Sequence, residues 1–368
     1  VKARDIGSIL LILGTTVGAA MLALPVVTAA ESYWVTICIV IFSWALMTAG
    51  AWAIMRVNCA MPMGSNFVTM ARATMGPIGY WIMWLSYLML LYALICAYLA
   101  GSSDVVQELL AGVHIHVSRV TATLLTAVLL ASIVYRGIAS VDWVNRALML
   151  FKLVALIILM TVISPESHIG MLMVQSQSIP HVETVMVVLC SFGFAIILPS
   201  IRVYLGGDEK RLSWVLWVGS LLPLFIYLIW IGLIQGAVSR TGVGGLIALN
   251  HSAHTNSELM NDLVYLTHST GLHALSRIFV SICALTAFLG VSMCLLDFLS
   301  DGLKKTYLGE KRIMMACLTY LPPLCIVLFD PRLFTSALAY AGALCVIILI
   351  AMPIIMYVQA RRKDWIIG

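Results

Sequence analysis

The chain has 368 residues, 62% of them hydrophobic and only 10% charged, with a mean hydropathy of +1.04. A soluble domain carries about 25% charged residues, so a water-soluble globule is excluded and lipid must cover part of the apolar surface. The formal charge of +5 is scattered between apolar runs rather than gathered on one patch, which excludes a nucleic-acid-binding face.

Ten membrane spans are predicted, at 6–28, 33–56, 78–102, 118–136, 141–163, 183–204, 211–236, 274–299, 311–329 and 333–358. About 20 residues at 1.5 Å rise cross a hydrocarbon core of about 30 Å. Helices are required because unpaired backbone groups are intolerable in lipid, and the alternation of a membrane barrel is absent. The first run is too long for a cleaved signal peptide, and a few residues are expected before Val1. With the N-terminus in the cytoplasm, sixteen of the 21 Lys and Arg fall inside, Arg119, Arg240, Arg277 and Arg332 fall outside, and Lys152 lies within a span. That bias predicts the orientation and supports an even number of spans.

The first span carries Gly14-Thr15-Thr16-Val17-Gly18-Ala19-Ala20 near its middle. Glycine weakens a helix and lets a ligand reach the backbone, so an unwound segment is expected. Free N–H groups at the start of the second half-helix suit a carboxylate. Close packing through small residues is the other reading. Within 58–77, Pro62, Gly64, Gly76 and Pro77 surround a stretch predicted to be a short interfacial helix on the inner side. In the third span Tyr87, Tyr92 and Tyr98 are candidates for a pocket wall. Tyr92 is preferred because it sits nearest mid-membrane, where a phenol needs a partner.

Lys152 lies deep in the fifth span, beyond easy snorkelling. Low dielectric makes such an amine switchable. It is either a proton-exchanging group in a cation's place near the first break, or a fixed structural cation on helix-end carbonyls. The sixth span repeats the interruption with Ser191-Phe192-Gly193-Phe194 and then Pro199-Ser200, and its phenylalanines can line a pocket. Spans one and six hold corresponding places in two five-helix halves, about 6–163 and 183–358, and an odd helix count inverts the second copy. Paired breaks of this kind point to a substrate site at the repeat interface. Residues 237–272 form the longest outer connection, either a cap over a vestibule or a passive connector. In the eighth span Thr286 and Ser292 offer hydroxyls toward the core, and Asp297 is read as a gate contact or a helix-end partner for Lys304 or Arg312.

Nine cysteines show no pair spacing of metal-site or redox type, and the eight in apolar runs (all but Cys59) are read as buried small hydrophobes. No metal or cofactor is expected. No hydrolase elbow, P-loop, zinc motif or dinucleotide fingerprint falls on a sensible element, which sets aside an enzyme and ATP-driven transport by this chain alone.

The string Gly14-Thr15-Thr16-Val17-Gly18-Ala19-Ala20-Met21-Leu22-Ala23-Leu24-Pro25 resembles the first-helix signature of the bacterial hydroxy and aromatic amino acid permeases, nearest to their tyrosine-specific branch. Thr286-Ala287-Phe288-Leu289-Gly290-Val291-Ser292, with Asp297-Phe298 and Asp301-Gly302, is similar to the family's eighth-helix pattern. Asn145-Arg146-Ala147-Leu148-Met149 with Lys152 and Ser191-Phe192-Gly193-Phe194 also fit, so the resemblance runs from about residue 4 to 360. It implies an all-α polytopic membrane protein with a leucine-transporter-like fold of 5+5 inverted repeats and discontinuous helices 1 and 6. An eleventh helix, frequent in the family, is expected after residue 368. The resemblance further implies residence in the bacterial inner membrane and proton-coupled uptake of tyrosine, tryptophan or phenylalanine. Lys152 stands where related proton-coupled transporters place a lysine instead of sodium between the first and eighth helices. Two positions depart from the pattern, Ala20 from a glycine and Ala287 from a serine.

The expected mechanism is alternating access. The carboxylate binds amides around Gly14, Thr15, Thr16 and Gly18, the ammonium binds carbonyls near Phe192 and Gly193, and the ring stacks among Phe194, Tyr92 and Phe288. A sodium-coupled or small-neutral amino acid carrier is the rival within transport, and a channel or membrane sensor the rival outside it.

Overall fold

The computed structural model describes residues 3–112, 114–135, 138–173, 180–242, 245–250, 252, 258–259, 262–263, 270–302, 311–330 and 333–365. The first span is two helices, α1 (Ala3–Thr16) and α2 (Ala19–Val27), bent by 51° across Val17 and Gly18. It is followed by α3 (Tyr33–Cys59) and α4 (Phe67–Gly112). Gly76 divides α4 with φ of 74°, and Pro77 follows it. Only glycine takes that φ without strain, so the short helix 67–75 turns there into the third span, as the Gly76-Pro77 pair predicts.

Next come α5 (Arg119–Tyr135) and α6 (Ile138–Ile163). The sixth span is α7 (Val182–Ser191), a 3₁₀ segment Gly193–Ile197, and α8 (Leu198–Tyr204). The break is therefore a tightened turn at Gly193–Ile197, and Pro199 and Ser200 already lie in α8. Pro199 sits in the first turn of α8, where its missing N–H costs nothing. Gly206 and Gly207, with φ of 71° and 83°, reverse the chain into α9 (Glu209–Ala237), whose N-terminus Asp208 caps by accepting from Arg211 N. Then follow α10 (Thr270–Gly302), α11 (Lys311–Phe329), α12 (Leu333–Cys345), a π-helical segment Val346–Ala351, and α13 (Met352–Arg362).

Among the described residues seven helices are long and apolar enough to cross a membrane, and the bent α1–α2 pair makes an eighth span. The shorter apolar helices Arg119–Ser132 and Met314–Phe329 occupy the predicted fourth and ninth positions. Lipid-facing positions such as Phe42, Ile78, Val128, Ile157 and Phe225 are exposed on the outside of the bundle, where hydrocarbon rather than water is the partner.

In the interior, α10 and α12 lie against α4, and α12 lies against α7. The contact between α12 and α7 is backbone to backbone. A Cβ added at Gly342 would stand 1.8 Å from Met186 O, so only glycine permits this approach. Gly342→Ala is expected to destabilise the protein by about 3 kcal/mol, the upper range of overpacking costs. Thermal unfolding in detergent checks this, with Gly170→Ala as the control because no atom lies within 4 Å of a Cβ there.

The π segment has no counterpart in the sequence reading. Pro353 lacks the N–H that would bond Leu349 O in an α-helix, and the ladder widens just before it. Leu349 O faces Gly50 of α3, where an added Cβ would come within 1.8 Å.

Candidate functional site

The break in the first span leaves the last carbonyls of α1 and the first N–H groups of α2 without intrahelical partners. Val17 N still bonds Leu13 O, and Met21 N bonds Gly18 O, so the helical ladder is interrupted between these two turns. The hydroxyls of Thr15 and Thr16 are bonded back to Ile12 O at 2.8 and 3.0 Å. What these threonines present is backbone, and among the described residues the amides of Gly18, Ala19 and Ala20 make no backbone hydrogen bond outside a helix. Of the amides expected around Gly14, Thr15, Thr16 and Gly18, the first three lie within the last turns of α1, and only that of Gly18 falls in the break.

Lys152 on α6 is 1% exposed. Its Nζ donates to Gly14 O at 3.1 Å and lies 3.5 Å from Thr286 Oγ1 on α10. The amine thus bridges the end of α1 and the eighth span. Among the described residues no carboxylate pairs with it. A buried ammonium with so few partners in lipid is poorly compensated.

A cavity of about 210 Å³ opens on both breaks. Gly14, Thr15, Thr16, Gly18, Ala19 and Ala20 form one wall, and Cys190, Ser191, Gly193, Ile196 and Ile197 form the facing one. Leu11 of α1, Leu94 and Tyr98 of α4, Met149 of α6, Cys345 of α12, and Thr286, Ala287, Gly290, Val291 and Cys294 of α10 complete it. Those α10 residues recur at helical spacing along a single stripe. At Gly18 the nearest atom to an added Cβ is the Ala287 side chain at 4.0 Å, and at Gly193 and Gly290 nothing lies within 4 Å. These glycines leave the cavity open.

The aromatic candidates go elsewhere. Phe192 is buried against Tyr227, with ring centroids 4.9 Å apart. Phe194 is buried, and Phe288 stacks on Tyr320; neither lines the cavity. Phe288 is one residue, about 100°, off the lining stripe of α10. The Tyr92 hydroxyl donates to Leu318 O of α11 at 2.7 Å, so the phenol satisfies itself between helices and Tyr98 takes the wall instead. Six residues separate the two tyrosines, about 240° around the helix, and only packing decides which faces inward. Ser292 Oγ is buried without a partner among the described residues and lies off the cavity. Asp297 is on α10, but its side chain lies outside the described residues.

Two polar clusters tie down the ends of the broken helices. At the N-terminal end of the bundle Arg211 donates to Asp5 Oδ1 at 2.9 and 2.5 Å, joining α9 to α1. Arg202 of α8 donates to the carbonyls of Asn58 and Met61. At the opposite end Glu31 Oε1 accepts from His181 N at 3.0 Å, and His181 Nδ1 lies 2.9 Å from the same oxygen. Arg240 donates to Glu31 O there.

The model of the tryptophan/tyrosine permease family matches residues 2–365. The chain belongs to that family. Tyrosine-specific transport system 2 of Haemophilus influenzae is 30% identical over 99% of this chain and 89% of its own length. The tryptophan-specific transport protein of Pseudomonas aeruginosa is 28% identical, covering 97% and 87%. Glutamine transporter 2 of Aliivibrio fischeri is 25% identical, covering 97% and 89%. Among solved structures, the nucleobase-cation-symport-1 family transporter Mhp1, in a closed conformation with bromovinylhydantoin bound, superposes with a TM-score of 0.62. It covers 94% of this chain and 77% of that one at 13% identity, a likeness of fold alone. The permease therefore has the leucine-transporter-like architecture, with discontinuous helices 1 and 6. It is a multi-pass membrane transporter and not an enzyme.

Proposed function

We propose that this permease imports an aromatic amino acid, tyrosine first, by proton symport with alternating access across the bacterial inner membrane, its N-terminus in the cytoplasm. The observation that carries the reading is one small cavity bounded by both helix breaks. A zwitterion suits such a place. Its carboxylate meets the free amides and positive dipole end of α2 at Gly18, Ala19 and Ala20. Its ammonium meets the carbonyls that end α1 and α7. The ring lies against Tyr98, Ile196 and Val291, a largely apolar wall that favours an aromatic side chain over the polar one of a glutamine carrier. The two halves, about 6–163 and 183–358, are proposed as the inverted repeats, with Lys152 as the proton-loading group between them.

The tyrosine-specific and tryptophan-specific names of the relatives support the substrate class. Uptake of radiolabelled tyrosine into proteoliposomes, with proton and sodium gradients imposed separately, tests the whole reading. Saturable accumulation that follows the proton gradient and is competed by tryptophan but not by serine or glutamine is expected. Accumulation that follows only sodium, or competition by serine, points to the small-neutral carrier instead.

A further inference from the structure

Tyr227 belongs to neither break and does not line the cavity, yet its hydroxyl touches both breaks. It is fully buried on α9. Its Oη lies 2.7 Å from Thr16 O and 2.8 Å from Ser191 O. Thr16 and Ser191 are the last residues of α1 and α7, equivalent ends in the two halves, and terminal carbonyls of a helix lack intrahelical donors. A phenol has one O–H and can donate to only one carbonyl at a time, although each carbonyl offers two lone pairs. The second carbonyl then faces an oxygen lone pair, so the trio is one donor short. Both residues line the cavity, and a primary ammonium brings three donors and a positive charge.

We propose that Tyr227 is the positioning residue for the substrate's ammonium group. It holds the carbonyls that end the two half-helices beside each other, and the ammonium supplies the donor the pair lacks. This deepens the aromatic amino acid reading above and rests on it. Because the hydroxyl is anchored on α9, the two half-helix ends are brought together before substrate arrives, which limits the ordering cost of binding.

The test is inhibition of labelled tyrosine uptake by two probes. One is 3-(4-hydroxyphenyl)propionate, which lacks the amine; the other is tyramine, which lacks the carboxylate. Tyr227→Phe is expected to raise the inhibition constant of tyramine about tenfold, because the carbonyl pair it holds in place for the ammonium is released, and to leave that of the propionate within about twofold. Tyr227→Phe also strips a buried donor and risks the fold, so replacement of Tyr227 by 4-aminophenylalanine is the second variant. The arylamine has two N–H groups, one for each carbonyl, and is expected to keep the protein folded while weakening tyramine relative to the propionate. A merely structural role moves both probes together and leaves their ratio unchanged, and that result in either folded variant overturns the proposal. Absence of any aromatic amino acid uptake by the unaltered protein instead sinks the substrate reading, and this inference with it.

Discussion

Lys152→Met is expected to abolish concentrative uptake while leaving passive exchange. One proton charge moved across 100 mV is worth about 2.3 kcal/mol, or about fiftyfold accumulation, and an uncoupled carrier relaxes to a ratio near one. The geometric ground is the bridge from Nζ to Gly14 O at 3.1 Å and to Thr286 Oγ1 at 3.5 Å, which links α1 to α10 through α6. Methionine fills nearly the same volume without a donor, so packing around the buried stem is retained and the polar link alone is removed. Gly14 O then loses its partner at the end of α1, and the bend between α1 and α2 is freed to change its angle without protonation. Counterflow of labelled tyrosine in the absence of gradients reports exchange, and uptake under an imposed proton gradient reports coupling. Undiminished gradient-driven accumulation in the variant is the result that removes Lys152 from the mechanism. Lys152→Arg supplies the complementary arm, because arginine keeps its charge in proteins. It is expected to retain a folded protein with gradient-driven uptake lost.

Gly290→Val is expected to raise the KM for tryptophan about a hundredfold and for tyrosine about tenfold, since an ill-fitting group in an apolar pocket shifts discrimination by about 1–3 kcal/mol. Position 290 faces the cavity from the lining stripe of α10, and no atom stands within 4 Å of a Cβ there. Valine places three carbons in a space of about 210 Å³. The indole, being the larger ring, is displaced first. Stability should not fall, because replacing glycine by valine in a helix interior gains about 0.3 kcal/mol. Thermal unfolding therefore separates a filled site from a damaged fold. Equal kinetics for both substrates in a folded Gly290→Val protein means that the ring does not rest against α10.

The spans, both breaks and the depth of Lys152 were readable before any coordinates, because each is a local property. An apolar run long enough for lipid must be helical, glycine clusters weaken helices wherever they occur, and a lysine in mid-run has no water to reach. The choice of aromatic wall was not readable. Tyr92, Phe192, Phe194 and Phe288 sit beside the right segments, but a shift of one residue turns a side chain about 100°, and each of them packs away from the cavity. Likewise, nothing in the string around Tyr227 sets it apart from the tyrosines of other spans.

What the chain determined alone is its solvent and the places where its helices give way, both consequences of composition over windows of a few turns. Tertiary structure decided which face of each helix meets the cavity, that a phenol from α9 reaches both half-helix ends, and that α12 can lie on α7 through Gly342. Those outcomes depend on contacts between residues distant in sequence, where helix rotation and approach are set jointly by all neighbours.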